Sequence, residues 1–269
     1  MADFRRMAHD YLTRAKAEMA SGDDHRLRYA ALEIRFCMEA ITYGRAQAYK
    51  SEIPPEEFST WQPRKVLDYL TEIDPHAALT STITITPEVT PGVPDPAAKP
   101  ITFGTDVALT VNDLKKHYSA IGGYLHPPTL DKIDEPDALN PARLRKRCED
   151  CIAILGNVLS SQAWHFTVGQ FSEMSCKRCG KTVRRRLHPQ DEQAVDTRCF
   201  ECNAGYTIEQ KDDMVIWKSK VEQVSCPTTG CSEKIAIWKD QIKPGSYWTC
   251  NGCKRSYQIA LGITQKDTH

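Results

Sequence analysis

A chain of 269 residues has room for two or three domains and for at least one core large enough to fold without covalent staples. Its 35 Lys and Arg are balanced by 35 Asp and Glu, which argues against a generally basic nucleic-acid coat and against a polybasic membrane binder, while leaving local patches open. The charged opening MADFRRMAHDYLTRAKAEMASGDD lacks the apolar run of a signal peptide, and no stretch of about 18 apolar residues occurs. The expectation is a cytoplasmic protein with no membrane partner.

The opening stretch reads as a helix stopped at Gly22. Behind it, Asp23 and Asp24 cap a long amphipathic helix whose Leu27, Ala31, Ile34, Met38 and Ile41 recur at spacings of three and four. QPRKVLDYLTEI, with Pro63 in its first turn, predicts a shorter helix. TSTITIT alternates in the manner of a strand, and five prolines between residues 87 and 100 predict an exposed loop. LTVNDLKKHYSAIGGYLH returns to helix, weakened at its end by Gly122 and Gly123. Asn140 and Pro141 then cap a helix of about twenty residues, PARLRKRCEDCIAILGNVLSSQAW. The sum over residues 1–168 is four or five helices with a small strand insertion.

Cysteine divides the chain. Only Cys37, Cys148 and Cys151 precede Cys176, whereas eight cysteines lie between 176 and 253. An odd total of 11, grouped in closely spaced pairs, fits thiolate metal ligands better than disulfides. The segment is also an internal repeat: RCFECNAGYTI and TCNGCKRSYQI both read Cys, two residues, Cys, three residues, Tyr, one residue, Ile. The first copy holds Cys176, Cys179, Cys199 and Cys202; the second holds Cys226, Cys231, Cys250 and Cys253. Each pair can turn about an ion, and two pairs supply four sulfurs. The gap between Cys226 and Cys231 is wider, with Pro227 and Gly230 shaping the turn.

Both copies resemble zinc ribbons, in which two such turns pinch a small antiparallel sheet; the boundaries expected are 169–220 and 221–269. The resemblance implies two Zn²⁺, one per copy, with iron in a rubredoxin-like site and disulfides as the rival readings. A site of four thiolates leaves no position for a catalytic water, so the metal is expected to be structural. Cys148 and Cys151 have ribbon spacing too, but they stand inside a helix and read as packed thiols; the competing reading is a third site completed by Cys37 and a histidine.

Along TVRRRL, strand alternation places Val183, Arg185 and Leu187 on one face and Thr182, Arg184 and Arg186 on the other. With Val183 and Leu187 over the core, Lys177, Arg178, Lys181, Arg184 and Arg186 form a solvent-facing cluster suited to phosphates. The opposing reading is neutralisation: residues 172–269 carry 16 Lys and Arg against 12 Asp and Glu, and two tetrathiolate sites of formal charge −2 cancel that excess. Trp217 and Trp238, outside the repeated motif, are candidates for exposed stacking surfaces.

KKHYSAIGGYLHPP, with Tyr118 and His126, and the long helix RYAALEIRFCMEAITYGRAQ give the first part a resemblance to the four-helix HEPN superfamily of RNA-targeting and defence proteins. Active members carry Arg, four to six residues, then His. Here residues 119, 120 and 121, at that spacing before His126, are Ser, Ala and Ile. The resemblance therefore implies a non-catalytic helical domain that pairs as a homodimer.

No Ser/His/Asp arrangement, phosphate-cradling glycine loop or HExxH pattern occurs. The expectation is an α+β multidomain protein in which a helical domain presents two zinc ribbons to RNA or single-stranded DNA. A protein-interaction adaptor and a ribonuclease with an unusual catalytic set at His126 are the alternatives.

Overall fold

The computed structural model describes residues 3–54, 62–127, 140–187, 194–211, 214–260 and 262. The chain divides into two compact units, Met1–Val168 and Gly169–His269. Helices dominate the first and small antiparallel sheets the second, an α+β layout.

In the helical unit, Asp3 starts α1 (Phe4–Ala20) by accepting from the Arg6 amide, and the chain turns at Gly22 with φ 74°, a conformation a Cβ would strain. Asp23 caps a short turn, Asp24–Arg26, that runs into α2 (Leu27–Ala48). The expected stripe of Leu27, Ala31, Ile34, Met38 and Ile41 is at most 2 % exposed. α1 lies along α2, α3 (Pro63–Ile73) buries Leu67, Leu70 and Ile73, and α6 (Pro141–Leu159) packs on both α1 and α2. The Asn140 side chain accepts from the amides of Ala142 and Arg143, so the cap read from the sequence is made.

Two stretches depart from expectation. The proline-rich residues 87–100 are not a plain loop: β2 (Glu88–Thr90) and β3 (Val93–Pro94) pair across Gly92, φ 82°. Pro91 is favoured at the first central position of a type II turn, and Gly92 supplies the positive φ its second requires. This hairpin sits inside a larger one, because β1 (Ser81–Ile85) pairs with β4 (Ile101–Asp106). The second departure is the helix through residues 111–125. It runs as α4 (Val111–Asp113), a wide π turn (Leu114–Tyr118), α5 (Ser119–Gly122) and a tight turn to Leu125. The π turn carries Leu114 and His117, both buried, at 1 and 7 % exposure.

The second unit is built from hairpins. β5 (Gln170–Ser175) pairs with β6 (Thr182–Leu187), and β7 (Val195–Arg198) with β8 (Gly205–Lys211), whose other edge takes β9 (Met214–Ser219). β10 (Val221–Ser225) pairs with β11 (Lys234–Trp238), and β12 (Tyr247–Thr249) with β13 (Ser256–Gln258). Each cysteine pair lies in the turn of a different hairpin, two hairpins to a copy. The copies pack together: the Tyr206 ring meets Trp217 edge-on at 6.0 Å and Trp238, from the second copy, at 5.4 Å.

Candidate metal centres and basic surface

The turns that carry the thiols repeat a single construction. In three of them the first cysteine amide donates to the carbonyl of the residue five positions on, and its own carbonyl accepts from the residue four positions on: Cys176 with Lys181 and Gly180, Cys199 with Ala204 and Asn203, Cys250 with Arg255 and Lys254. The residue after the second cysteine then has positive φ: Gly180 at 74°, Asn203 at 60°, Lys254 at 58°. This folds both Sγ atoms to one side. The fourth turn spends its two extra residues differently, with Gly230 at φ 80° and the Cys226 amide donating to Glu233.

The eight sulfurs converge in two sets of four, Cys176, Cys179, Cys199 and Cys202, and Cys226, Cys231, Cys250 and Cys253, with all ligand atoms of a set within 4.8 Å of one another. Within the sets, Cys176–Cys202 is 3.7 Å, Cys179–Cys199 3.6 Å, Cys226–Cys253 3.7 Å and Cys231–Cys250 3.8 Å. Four sulfurs placed tetrahedrally about 2.3 Å from one ion stand about 3.8 Å apart. The spacing fits, and each group can hold a metal ion.

A second layer of donors supports the sulfurs. Tyr206 Oη donates to Cys176 Sγ at 3.2 Å and accepts from the Lys177 amide at 2.9 Å, while the Arg178 amide reaches Cys176 Sγ at 3.4 Å. In the second copy Tyr257 Oη lies 3.2 Å from Cys226 Sγ and bonds the Thr228 hydroxyl. The repeated tyrosines therefore serve the thiolates as well as the core. Such hydrogen bonds favour the charged form of the sulfur that receives them.

Among the described residues no other group of three or more potential ligands converges in this way. Cys37, Cys148 and Cys151 are fully buried in the helical core, and desolvation pushes each thiol up to about 12. They are packed thiols.

The basic cluster is less open than the sequence suggested. Lys177 and Lys181 are exposed as expected. Arg178 is also at the surface but is paired with Asp240 at 2.8 Å, and Arg184 lies 3.3 Å from Glu173. The expectation that Arg186 faces solvent is wrong: it is 2 % exposed. The alternation itself holds, because the register sets Arg184 and Arg186 opposite Glu173 and Phe171. What the sequence hid is that both guanidinium groups pack over the Phe171 ring, at 3.8 and 4.8 Å, and that Gly169 leaves room for Arg186 where any side chain would collide with it. Trp217 and Trp238 are likewise not free platforms. Both are half-buried on Tyr206, and Trp217 donates to Ser172 Oγ at 2.9 Å.

In the helical unit, His126 is exposed at the end of its turn, and Tyr118 belongs to a polar cluster read from no motif. Tyr118 Oη accepts from Arg35 at 2.8 Å and donates to Glu39 at 2.6 Å, with the Arg35 guanidinium 4.2 Å above its ring. A second polar group is fully internal. Arg45 grips Asp106 at 2.5 and 3.0 Å, and Tyr49 donates to Asp74 at 2.8 Å, along one side of a cavity of about 490 Å³.

No family model matches the chain, and comparison with curated proteins and with solved structures gives no match. No helix among the described residues is long and apolar enough to cross a membrane.

Proposed function

We propose that the chain is a zinc-stabilised nucleic-acid-binding protein, its C-terminal unit two tandem zinc ribbons, 169–220 and 221–269, that hold one Zn²⁺ each and take RNA or single-stranded DNA. The observation that carries the metal part is the sulfur geometry: two closed sets of four thiols at tetrahedral spacing, each backed by a tyrosine hydroxyl. Zinc suits four sulfurs without a redox partner, and closed sites point to structure rather than catalysis.

Support for nucleic acid is the set of exposed cations around the ribbons. Lys177 and Lys181 flank the first site, and Lys234, Lys243, Lys254 and Arg255 surround the second; none of the six is in an ion pair among the described residues. Arg178 and Arg184 contribute through their exposed edges, whereas Arg186, buried against Phe171, takes no part in the contact. The helical unit is read as a non-catalytic domain that pairs with a second copy. A protein adaptor is the alternative, favoured by the ion pairs that already occupy Arg178 and Arg184.

The test is binding of the zinc-loaded protein to single-stranded RNA, single-stranded DNA and duplex across a salt series. The reading expects affinity for single strands that falls as salt rises, because each neutralised phosphate releases counterions. Absence of affinity, or affinity indifferent to salt, in a folded protein sinks it.

A further inference from the structure

Among the many equivalent positions at which the two copies differ, one stands in the second hairpin of each. Three residues before the third thiol, the first copy has Asp196 and the second has Tyr247. Asp196 is engaged, accepting from Thr207 Oγ1 at 3.0 Å and pairing with Lys220. Tyr247 is 71 % exposed, the most exposed large aromatic among the described residues.

The hairpin around Tyr247 explains why the ring points outward. In β12 and β13 the register pairs Tyr247 with Gln258, Trp248 with Tyr257 and Thr249 with Ser256. Trp248 and Tyr257 pack on the thiol cluster of the second copy. Alternation then sends Tyr247, Gln258, Thr249 and Ser256 to the opposite face, and all four are exposed. That face offers one flat ring, one amide and a pair of hydroxyls 3.0 Å apart. Among the described residues it has no third strand beside it, whereas β9 flanks β8 in the first copy.

Charge singles out the same hairpin. From residue 242 to 260 there is no Asp or Glu, while Lys243, Lys254 and Arg255 are all exposed. The matching stretch of the first copy, residues 191–209, contains Asp191, Glu192, Asp196, Glu201 and Glu209. Lys254 also stands at the left-handed position that the sister turns give to Gly180 and Asn203. A lysine in that conformation is less favoured than glycine or asparagine.

We propose that the outer face of β12 and β13 is a stacking site for an unpaired base, with Tyr247 as the platform and Lys254 and Arg255 as the phosphate contacts. This rests on the nucleic-acid reading above and moves its centre from the first ribbon to the second. The ligand is a single strand because a duplex keeps its base faces covered, whereas an exposed ring flanked by cations and hydrogen-bonding groups suits a splayed base and its backbone.

The experiment uses the full zinc-loaded chain with labelled oligo(dT) and oligo(rU), measuring affinity by anisotropy across salt. Tyr247→Ala is expected to weaken binding by about tenfold or more, the loss of one stacked base, while Tyr247→Phe keeps the ring and stays near the parent value. The pair Lys254→Gly and Arg255→Ala, with Gly matching the backbone need at 254, is expected to flatten the salt dependence. Ultraviolet crosslinking of the parent complex should place the adduct on Tyr247. Parent-like affinity of Tyr247→Ala together with a crosslink elsewhere overturns the site but leaves the nucleic-acid reading standing. If the parent binds neither strand, both fall.

Discussion

Tyr206 is the residue at which core and metal chemistry meet, since its ring is buried between Trp217 and Trp238 while its hydroxyl donates to Cys176 Sγ. Removing that oxygen keeps the ring and deletes one bond to the sulfur. Tyr206→Phe is therefore expected to lower metal affinity at the first site by about tenfold, as loss of a supporting hydrogen bond does, with the second site unchanged. Competition against a chromophoric chelator resolves the two steps; two unaltered steps contradict the role. His165 gives a second residue-level test. It is 8 % exposed, and burial, aided by the Arg45 charge, pulls its value down from 6.5 to about 2. The unfolded chain thus takes up a proton below about pH 6.5 that the folded chain refuses. The helical unit should lose stability as pH falls below that value, by up to about 1.4 kcal/mol per pH unit from this group, with no contribution above it. His165→Asn is compatible with the backbone φ of 52° and should reduce the slope in denaturant titrations at successive pH values. An identical slope in the variant removes His165 as its cause.

The hairpins show how far local pattern carries an argument about elements. Amphipathic spacing was enough for α1, α2, α3 and α6, because each has one apolar stripe; Pro63 and Asn140 mark the starts of α3 and α6, while Asp23 caps the short turn ahead of α2, whose own N-cap is Arg26. β4 was not legible in this way. Its residues ITFGTD include a glycine, and the pairing with β1 shifts register beside that position. Gly104 is required there by contact: a Cβ would lie 2.8 Å from Gln162 Cβ and 3.0 Å from the Ala163 amide. Gly104→Ala should cost about 1–3 kcal/mol in the helical unit, measured by denaturant unfolding, and a cost near zero would show that the segment at 162 yields freely. In β6 the face of every residue could be read from alternation, yet not that the face of Arg186 is covered as well as that of Val183. That depended on Phe171 in β5 and on Gly169 just before it, and no periodicity within TVRRRL contains them.

For the whole molecule, sequence spacing was sufficient to locate both thiol sets, since short covalent turns dictate which sulfurs meet. The polar interior of the helical unit was illegible because Arg45 and Asp106 are 61 positions apart and only the packed fold brings them together. The two units should also differ in what holds them. The helical unit has a continuous apolar core spanning its helices, whereas each copy in the second unit has only a handful of buried side chains beside its thiols. A core that small does not repay chain entropy unaided, and a structural zinc supplies on the order of 10 kcal/mol. The measurement that bears most directly on this account is hydrogen exchange of the metal-stripped chain during titration with zinc, with bound metal counted in parallel. Two ions per chain are expected, with protection of strands β5 to β13 that vanishes on chelation and returns with zinc while the helices stay protected throughout. Protection of those strands that survives complete metal removal, or a stoichiometry other than two, contradicts the account.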